Sequence, residues 1–181
     1  MRTSNITQHL YLDALISYPR TSSQKLPPAI GYQAILKKLG KIPPYAKQAA
    51  ELLSKPSLKP NEGPKTDSVH PAAYPTGNLP QKNLDAAETN VFDLIVRRFL
   101  AAFTEPAIRQ NVKVTLSING NFFHLGADGT LREGWMCFYK PYVHLKENTL
   151  PPLTQGQAVG VKRVATKENF TKPPARYNPQ S

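Results

Sequence analysis

The sequence predicts an α+β protein, with a mainly helical part up to about residue 108 and a β-rich part after it. Three observations predict this. Apolar residues recur at helical spacing through the first part. From about residue 112 they alternate with polar ones. Asn119-Gly120 then sits between two alternating runs, as a type I′ hairpin turn requires.

The elements follow in order. Ile6, Leu10, Ala14 and Leu15 lie at helical spacing, with Ser4 or Asn5 as a cap. Pro19 ends this helix, because the residue before a proline, here Tyr18, avoids the helical region. Pro28 to Leu39 predicts a second helix, with proline in its first turn and Gly40 at its C-cap. Pro44 to Lys55 predicts a third. A long connection with Pro56, Pro60, Pro64, Pro71, Pro75 and Pro80 comes next, and loops of that length are often functional. Asp85 and Glu88 make a capping-box pair for a fourth helix. Its apolar stripe is Val91, Phe92, Ile95, Val96, Phe99, Leu100 and Phe103, and Pro106 stops it. Arg97 and Arg98 fall in its C-terminal half, where the helix dipole favours cations. Val112, Val114, Leu116 and Ile118 predict a half-buried strand, and Asn121 to Gly126 its partner. Asp128-Gly129 predicts another turn, and Val159, Val161 and Val164 a last strand.

Composition narrows the function. The 181 residues carry a net charge of +11, which favours a polyanionic partner: nucleic acid first, an anionic membrane surface second. Hydrophobic content of 40% is too high for a disordered basic tail. The 18 prolines predict short elements and long ordered connections. One cysteine, Cys137, excludes an internal disulfide and a cysteine-based zinc site, and its type predicts a small buried hydrophobe. No apolar run reaches the roughly 18 residues of a membrane span, and MRTSNITQHL lacks a signal-peptide core. The expectation is a soluble, intracellular protein.

Four stretches could carry chemistry. In Leu15-Ile16-Ser17-Tyr18-Pro19-Arg20-Thr21-Ser22-Ser23, a phenol, a guanidinium and several hydroxyls stand together beside a helix end. A phenol has a pKa near 10 and needs help to act as a nucleophile. An arginine two residues on can hold a phosphate through two hydrogen bonds. The bland alternative is a turn with Tyr18 half-buried and Arg20 solvated. In Asp67-Ser68-Val69-His70-Pro71-Ala72-Ala73-Tyr74-Pro75-Thr76-Gly77, His70 could donate to a phosphate or relay a proton, or be merely exposed. Phe170 to Tyr177 is a basic stretch holding Lys172 and Arg176, or simply a linker. Gly134-Trp135 reads as a core anchor rather than a base-stacking platform.

Together these residues resemble the type IA DNA topoisomerases. LISYPRTSSQ resembles the active-site tyrosine motif of that family, with its core I-[ST]-Y-x-R-T. DSVHPAAYPTG resembles the second motif, H-x-A-I-x-P in its common form. FHLGADGTLREGW resembles the stretch before the β-rich arch, and FTKPPARYNPQS the F-T-x-P-P-x-R-[YF] segment that leads into the next domain. Order and spacing match over essentially the whole chain, and the details are closest to archaeal members.

The resemblance implies a fold, a reaction and partners. Residues 1–108 would be the tyrosine-bearing domain, with a catabolite-activator-like fold. Residues 109–181 would be part of the β-rich arch and an exit segment. Tyr18 would attack a phosphodiester of single-stranded DNA, with Arg20 and His70 as the other catalytic residues. Thr21, Ser22, Lys172 and Arg176 would bind DNA. The Mg²⁺ ligands, a glutamate and a lysine of the family lie in a Toprim domain that nothing here matches. The chain therefore resembles a central fragment, inactive without its Toprim and gate-base domains, from a cytoplasmic, nucleoid-associated enzyme. Two departures stand out. Ser22 stands where many bacterial members have an aspartate that could orient the histidine, so either another group orients His70 or its pKa lies lower than in those members. Tyr74 replaces an arginine, so a phosphate contact is absent there or replaced by stacking. The alternative class is a non-catalytic module for single-stranded nucleic acid, for which +11 and scattered aromatics suffice.

Overall fold

A computed structural model describes residues 2–174 and 176, which form a mixed α+β structure as expected. Its elements are α1 (Arg2–Leu12), α2 (Tyr32–Leu39), α3 (Pro43–Leu53), α4 (Ala86–Ala102), β1 (Ile108–Ile118) and β2 (Asn121–Arg132). Short 3₁₀ turns cover Pro28–Ile30, Gly134–Cys137 and Lys140–Tyr142. The chain divides into two compact units, Met1–Thr149 and Leu150–Ser181. No helix among the described residues is long and apolar enough to cross a membrane.

The core of the first unit is helical. Leu10, Leu15, Ile16, Leu36, Leu39, Leu52, Val96 and Leu100 are fully buried in one cluster. Each such side chain contributes roughly 1.5–3 kcal/mol relative to leaving it in water. The fourth helix is the best specified. Asp85 accepts from the Glu88 N–H at 2.7 Å, and Glu88 accepts from the Asp85 N–H at 3.1 Å, closing the expected capping box. Phe92, Val96, Phe99, Leu100 and Ala101 form its buried side. Arg97 donates its Nε–H to both Asp93 oxygens, one turn back, and Arg98 lies 5.6 Å above the Tyr139 ring.

Several expectations about elements are corrected. The first helix begins at Arg2, so Ser4 and Asn5 lie inside it and do not cap it. It ends at Leu12, and Ala14 leaves it at φ 55°. The Leu15 N–H then bonds the Leu10 carbonyl, and the Ala14 N–H the Tyr11 carbonyl, both at 2.9 Å. That is a Schellman cap with alanine in the usual glycine position. The second helix is split: Gly31, at φ 76°, separates the 3₁₀ turn from α2. Gly40 does cap α2, but in right-handed rather than left-handed geometry.

The hairpin turn is as expected, with Asn119 at φ 48° and Gly120 at φ 77°. Its strands are longer than the alternation suggests and pair from Ile118↔Asn121 to Ile108↔Arg132. Asp128-Gly129 is no turn but part of β2. Asp128 exchanges two backbone bonds with Asn148 at 3.2 Å and accepts from the Asn111 amide at 2.7 Å, which holds the strand straight through. A register irregularity leaves Leu131 as an extra residue, a bulge. The strand expected to be half-buried is mostly exposed; only Val114, Leu116 and Ile118 are partly covered. The sheet has two strands only among the described residues, so little packs on either face.

After β2 the chain returns to the helical core. Phe138 is buried there and Trp135 packs partly buried against it, the anchoring role expected of Gly134-Trp135. Cys137, expected to be buried, is exposed, because Met136 and Phe138 on either side take the buried positions of this turn.

In the second unit, residues 150–174 hold no helix or strand. Val159, Val161 and Val164 are exposed and form no strand, since no partner strand lies beside them among the described residues. Lys172 and Arg176 are exposed in irregular backbone. Of the expected exit segment, Ala175 and Tyr177 to Ser181 lie outside the described residues.

Candidate active site

Two distant segments are joined to make the site. The Schellman cap turns the chain out of α1 and directs Leu15 and Ile16, each 1% exposed, into the core. Ile16 then pairs with Pro75 as an isolated antiparallel bridge. The Ser17 N–H donates to the Tyr74 carbonyl at 2.8 Å, and the Tyr74 N–H donates to Ser17 Oγ at 2.9 Å. The Thr76 N–H reaches the Leu15 carbonyl at 3.0 Å, and the Thr76 hydroxyl the Ala14 carbonyl at 2.7 Å. Gly77 follows at φ 81°, and a Cβ there would stand 2.8 Å from Lys38 Cβ, so only glycine lets the loop press against α2.

A second set of bonds closes the other end. The Gln24 N–H donates to the Lys65 carbonyl at 2.9 Å, and the Ala72 N–H to the Lys25 carbonyl at 2.8 Å. Glu62 accepts from the Leu26 N–H at 2.6 Å and pairs with Lys25 at 3.6 Å. Residues 18–23 and 67–71 are therefore held between two clamps. The long proline-rich connection is ordered by these bonds, without regular secondary structure of its own.

Between the clamps the half-buried Tyr18 and His70 lie side by side. Their ring centroids are 4.6 Å apart, with planes at 43°. On its other side Tyr18 meets the edge of Tyr11, at 5.4 Å and 75°. Arg20 is exposed, two residues beyond Tyr18, and none of the ion pairs among the described residues involves it. The Thr21 hydroxyl donates to the His70 carbonyl at 3.2 Å and accepts from the Ser23 N–H at 3.0 Å. The Ser22 hydroxyl reaches Asp67 at 3.4 Å. Asp67 in turn accepts from the N–H groups of Val69, at 2.9 Å, and His70, at 3.0 Å. These bonds, the one from Val69 first, hold the Asp67 carboxyl below its ordinary pKa.

The structure thus brings together Tyr18, Thr21, Ser22 and His70, with Arg20 on the same segment. Lys172 and Arg176 belong to the second unit. Tyr74 packs partly buried against the core. Two residues escaped the sequence reading. Asp67 had a signal, since an aspartate two and three residues before free N–H groups is the pattern of a side-chain-capped turn. Tyr11 had none: it is one more aromatic on a helix.

The arrangement offers a phenol between two rings, with an exposed arginine two residues further along the same segment, which suits attack on a phosphate ester. It does not suit a metal. Within residues 18–23 and 67–71 the only carboxylate is that of Asp67, and its oxygens already accept three hydrogen bonds. Among the described residues no three His, Cys, Asp or Glu side chains converge as a metal site.

Comparison with known proteins agrees with the motifs. The DNA topoisomerase family model matches residues 1–181. DNA topoisomerase 1 of Pyrococcus horikoshii is 46% identical over 179 residues, covering 98% of this chain and 26% of that protein. DNA topoisomerase 1 of Pyrococcus furiosus is 48% identical over 164 residues, covering 90% and 16% respectively. Human DNA topoisomerase 3-alpha is 28% identical over 172 residues, covering 95% and 17%. The chain belongs to the type IA DNA topoisomerase family, and its similarity to the archaeal enzymes extends over nearly its full length. It spans about a quarter or less of the length of these relatives.

Proposed function

We propose that this chain carries the nucleophile of a DNA topoisomerase that relaxes negatively supercoiled DNA by passing strands through a transient break. The single observation that supports this best is the packing of Tyr18 on His70, across 52 residues of sequence, with Arg20 two residues beyond Tyr18. In the reaction, Tyr18 Oη attacks a phosphorus of single-stranded DNA. The Oη–P bond forms and the bond from phosphorus to the 3′ oxygen breaks. The phenol proton goes to solvent or a neighbouring base, and the leaving oxygen takes up a proton as a free 3′-hydroxyl. The 5′-phosphotyrosyl link preserves the ester's energy, so the reverse attack reseals the strand without ATP. Arg20 stabilises charge on the phosphorane, and His70 contacts the scissile phosphate and fixes one face of the phenol. Thr21, Ser22, Lys172 and Arg176 contribute DNA contacts.

The wider reading includes three parts. Residues 1–108 act as the tyrosine domain, catabolite-activator-like in fold, and residues 109–181 as part of the arch. Mg²⁺ is held by acidic residues outside this sequence, in a Toprim domain, and a gate-base domain completes the enzyme, which works on DNA in the cytoplasm. On this reading the 181-residue chain alone is inactive, because the acidic cluster and the glutamate of the Toprim domain would have to come from outside this sequence.

The test uses a longer polypeptide with the Toprim and gate-base regions. It should relax plasmid DNA and leave a covalent adduct on labelled single strands. Tyr18→Phe should abolish both. Arg20→Ala should slow cleavage by about a hundredfold to a thousandfold, the usual cost of losing one charge-stabilising group. The 181-residue chain with Mg²⁺ should give no adduct on a denaturing gel. An active Tyr18→Phe variant overturns the nucleophile assignment and favours a non-catalytic nucleic-acid module. An adduct from the chain alone overturns the need for Toprim.

A further inference from the structure

We propose that Asp67 is a positioning residue that sets the His70 ring against Tyr18, tying the histidine loop to the tyrosine segment through Ser22. The sequence leaves open what orients His70, because Ser22 is no carboxylate. The fold supplies one from the opposite loop. Asp67 Oδ1 accepts from the backbone N–H of Val69 and of His70, so the loop turns sharply just before the histidine. Its second oxygen accepts from the Ser22 hydroxyl. The other end of the His70 residue is fixed as well, since its carbonyl accepts from the Thr21 hydroxyl. Both main-chain polar groups of His70 are thus bonded, one by Asp67 and one by Thr21. Both tethers lead to the segment that carries Tyr18. With its backbone fixed, the imidazole has little freedom beyond its own two torsions and rests on the phenol. The low pKa of the Asp67 carboxyl fits this, since three donors favour its charged form.

An alternative is that Asp67 merely folds an exposed loop. The two differ in what Asp67→Ala changes. Without the carboxylate, two backbone N–H groups lose their acceptor and the tie to Ser22 is lost. Asp67→Asn keeps one oxygen for the two N–H groups, and its amide can donate to Ser22 Oγ. The inference rests on the nucleophile reading above, so the experiment has two independent readouts. The first is magnetisation transfer between the ring protons of His70 and Tyr18 in the 181-residue chain. It should be lost in Asp67→Ala, kept in Asp67→Asn and weakened in Ser22→Ala, while core resonances of Leu10 and Leu36 stay put. This readout needs no catalysis. The second is cleavage by the longer polypeptide. Asp67→Ala should lower kcat by about tenfold to a hundredfold, the effect of a small misplacement of a reacting group, with KM for single strands unchanged. Asp67→Asn should restore most of it. A retained ring contact in Asp67→Ala overturns the inference, as does a lost contact with unchanged kcat. An active Tyr18→Phe variant overturns the nucleophile reading and leaves the first readout intact.

Discussion

The loop that carries Tyr18 and the β1–β2 ribbon are both additions to a helical core, one irregular and one a regular hairpin, and they are held in opposite ways. The tyrosine loop is tied to partners roughly fifty to sixty residues away, and Leu15 and Ile16 bury it. The ribbon is tied mainly to itself, through eleven cross-strand pairs closed by one turn, with Asp128–Asn148 and Thr130–Glu147 as ties to the chain that follows it. Phe122, Phe123 and Leu131 are 67%, 52% and 67% exposed along it. The difference shows what precision requires. The segment that carries Tyr18 is fixed by burial of Leu15 and Ile16 and by bonds to distant residues. A ribbon of two strands keeps its register through a local turn and gains little stability from packing.

The largest test of this contrast is truncation. Leu15→Ala should cost about 2–5 kcal/mol, the range for emptying a packed core site. It should also loosen Tyr18 from His70, because Ile16 and Ser17 follow directly. Leu116→Ala, on a partly covered strand face, should cost less than about 1.5 kcal/mol, in proportion to the smaller area it hides. Denaturant midpoints measure both. Equal costs would erase the distinction between the two regions.

A smaller effect is expected at the turn. Gly120→Val places a branched side chain at φ 77° and should cost roughly 1–2 kcal/mol. Because the ribbon depends on itself, the damage should stay there. Amide hydrogen exchange should quicken along β1 and β2 and remain unchanged in α4. Faster exchange in α4 would mean that the ribbon supports the core.

The same contrast explains what could be read in advance. Local devices were legible: the Asp85–Glu88 box, the Asn119-Gly120 turn and the stripe of α4 each need only a few neighbouring residues. The motif around Tyr18 and the one around His70 were legible as candidates, because each holds unusual chemistry in a short span. Their meeting was legible only through the family resemblance, since the bridge from Ile16 to Pro75 spans the whole proline-rich connection and leaves no periodic trace. Helix ends failed where the closing residue was atypical: Ala14 adopts a glycine's conformation, so the first helix was extended too far. Strand ends failed for a related reason. Asp128-Gly129 has turn chemistry, yet Asn111 and Asn148 engage the aspartate and carry the strand onward. The buried Cys137 and the last valine strand were expected from residue type alone. Position along a turn decided the first, and the lack of a partner strand the second.

Alkaline titration should separate the two regions by a subtler effect. The Tyr142 hydroxyl donates to Asp93 at 2.7 Å, in a cluster with Arg97 and Tyr45. Burial first, then Asp93, pushes the Tyr142 phenol up to about 12. Tyr45 is raised in the same way, by burial and by Asp93. An ordinary phenol ionises near about 10. A phenol raised in the folded state is held neutral there, while the unfolded chain ionises first. Its contribution to stability is therefore complete below about pH 10 and drains away as the pH rises through about 12. The β1–β2 ribbon contains no tyrosine, so this linkage belongs to the helical region alone. Unfolding measured across that range should show falling stability, and Tyr142→Phe should flatten part of the slope and leave the shares due to Tyr45 and Tyr32, whose phenols are also raised by burial. An unchanged slope would mean that the Tyr142–Asp93 bond does not distinguish the folded from the unfolded phenol. It would also remove one of the side-chain links that make the helical region, unlike the ribbon, a single packed body.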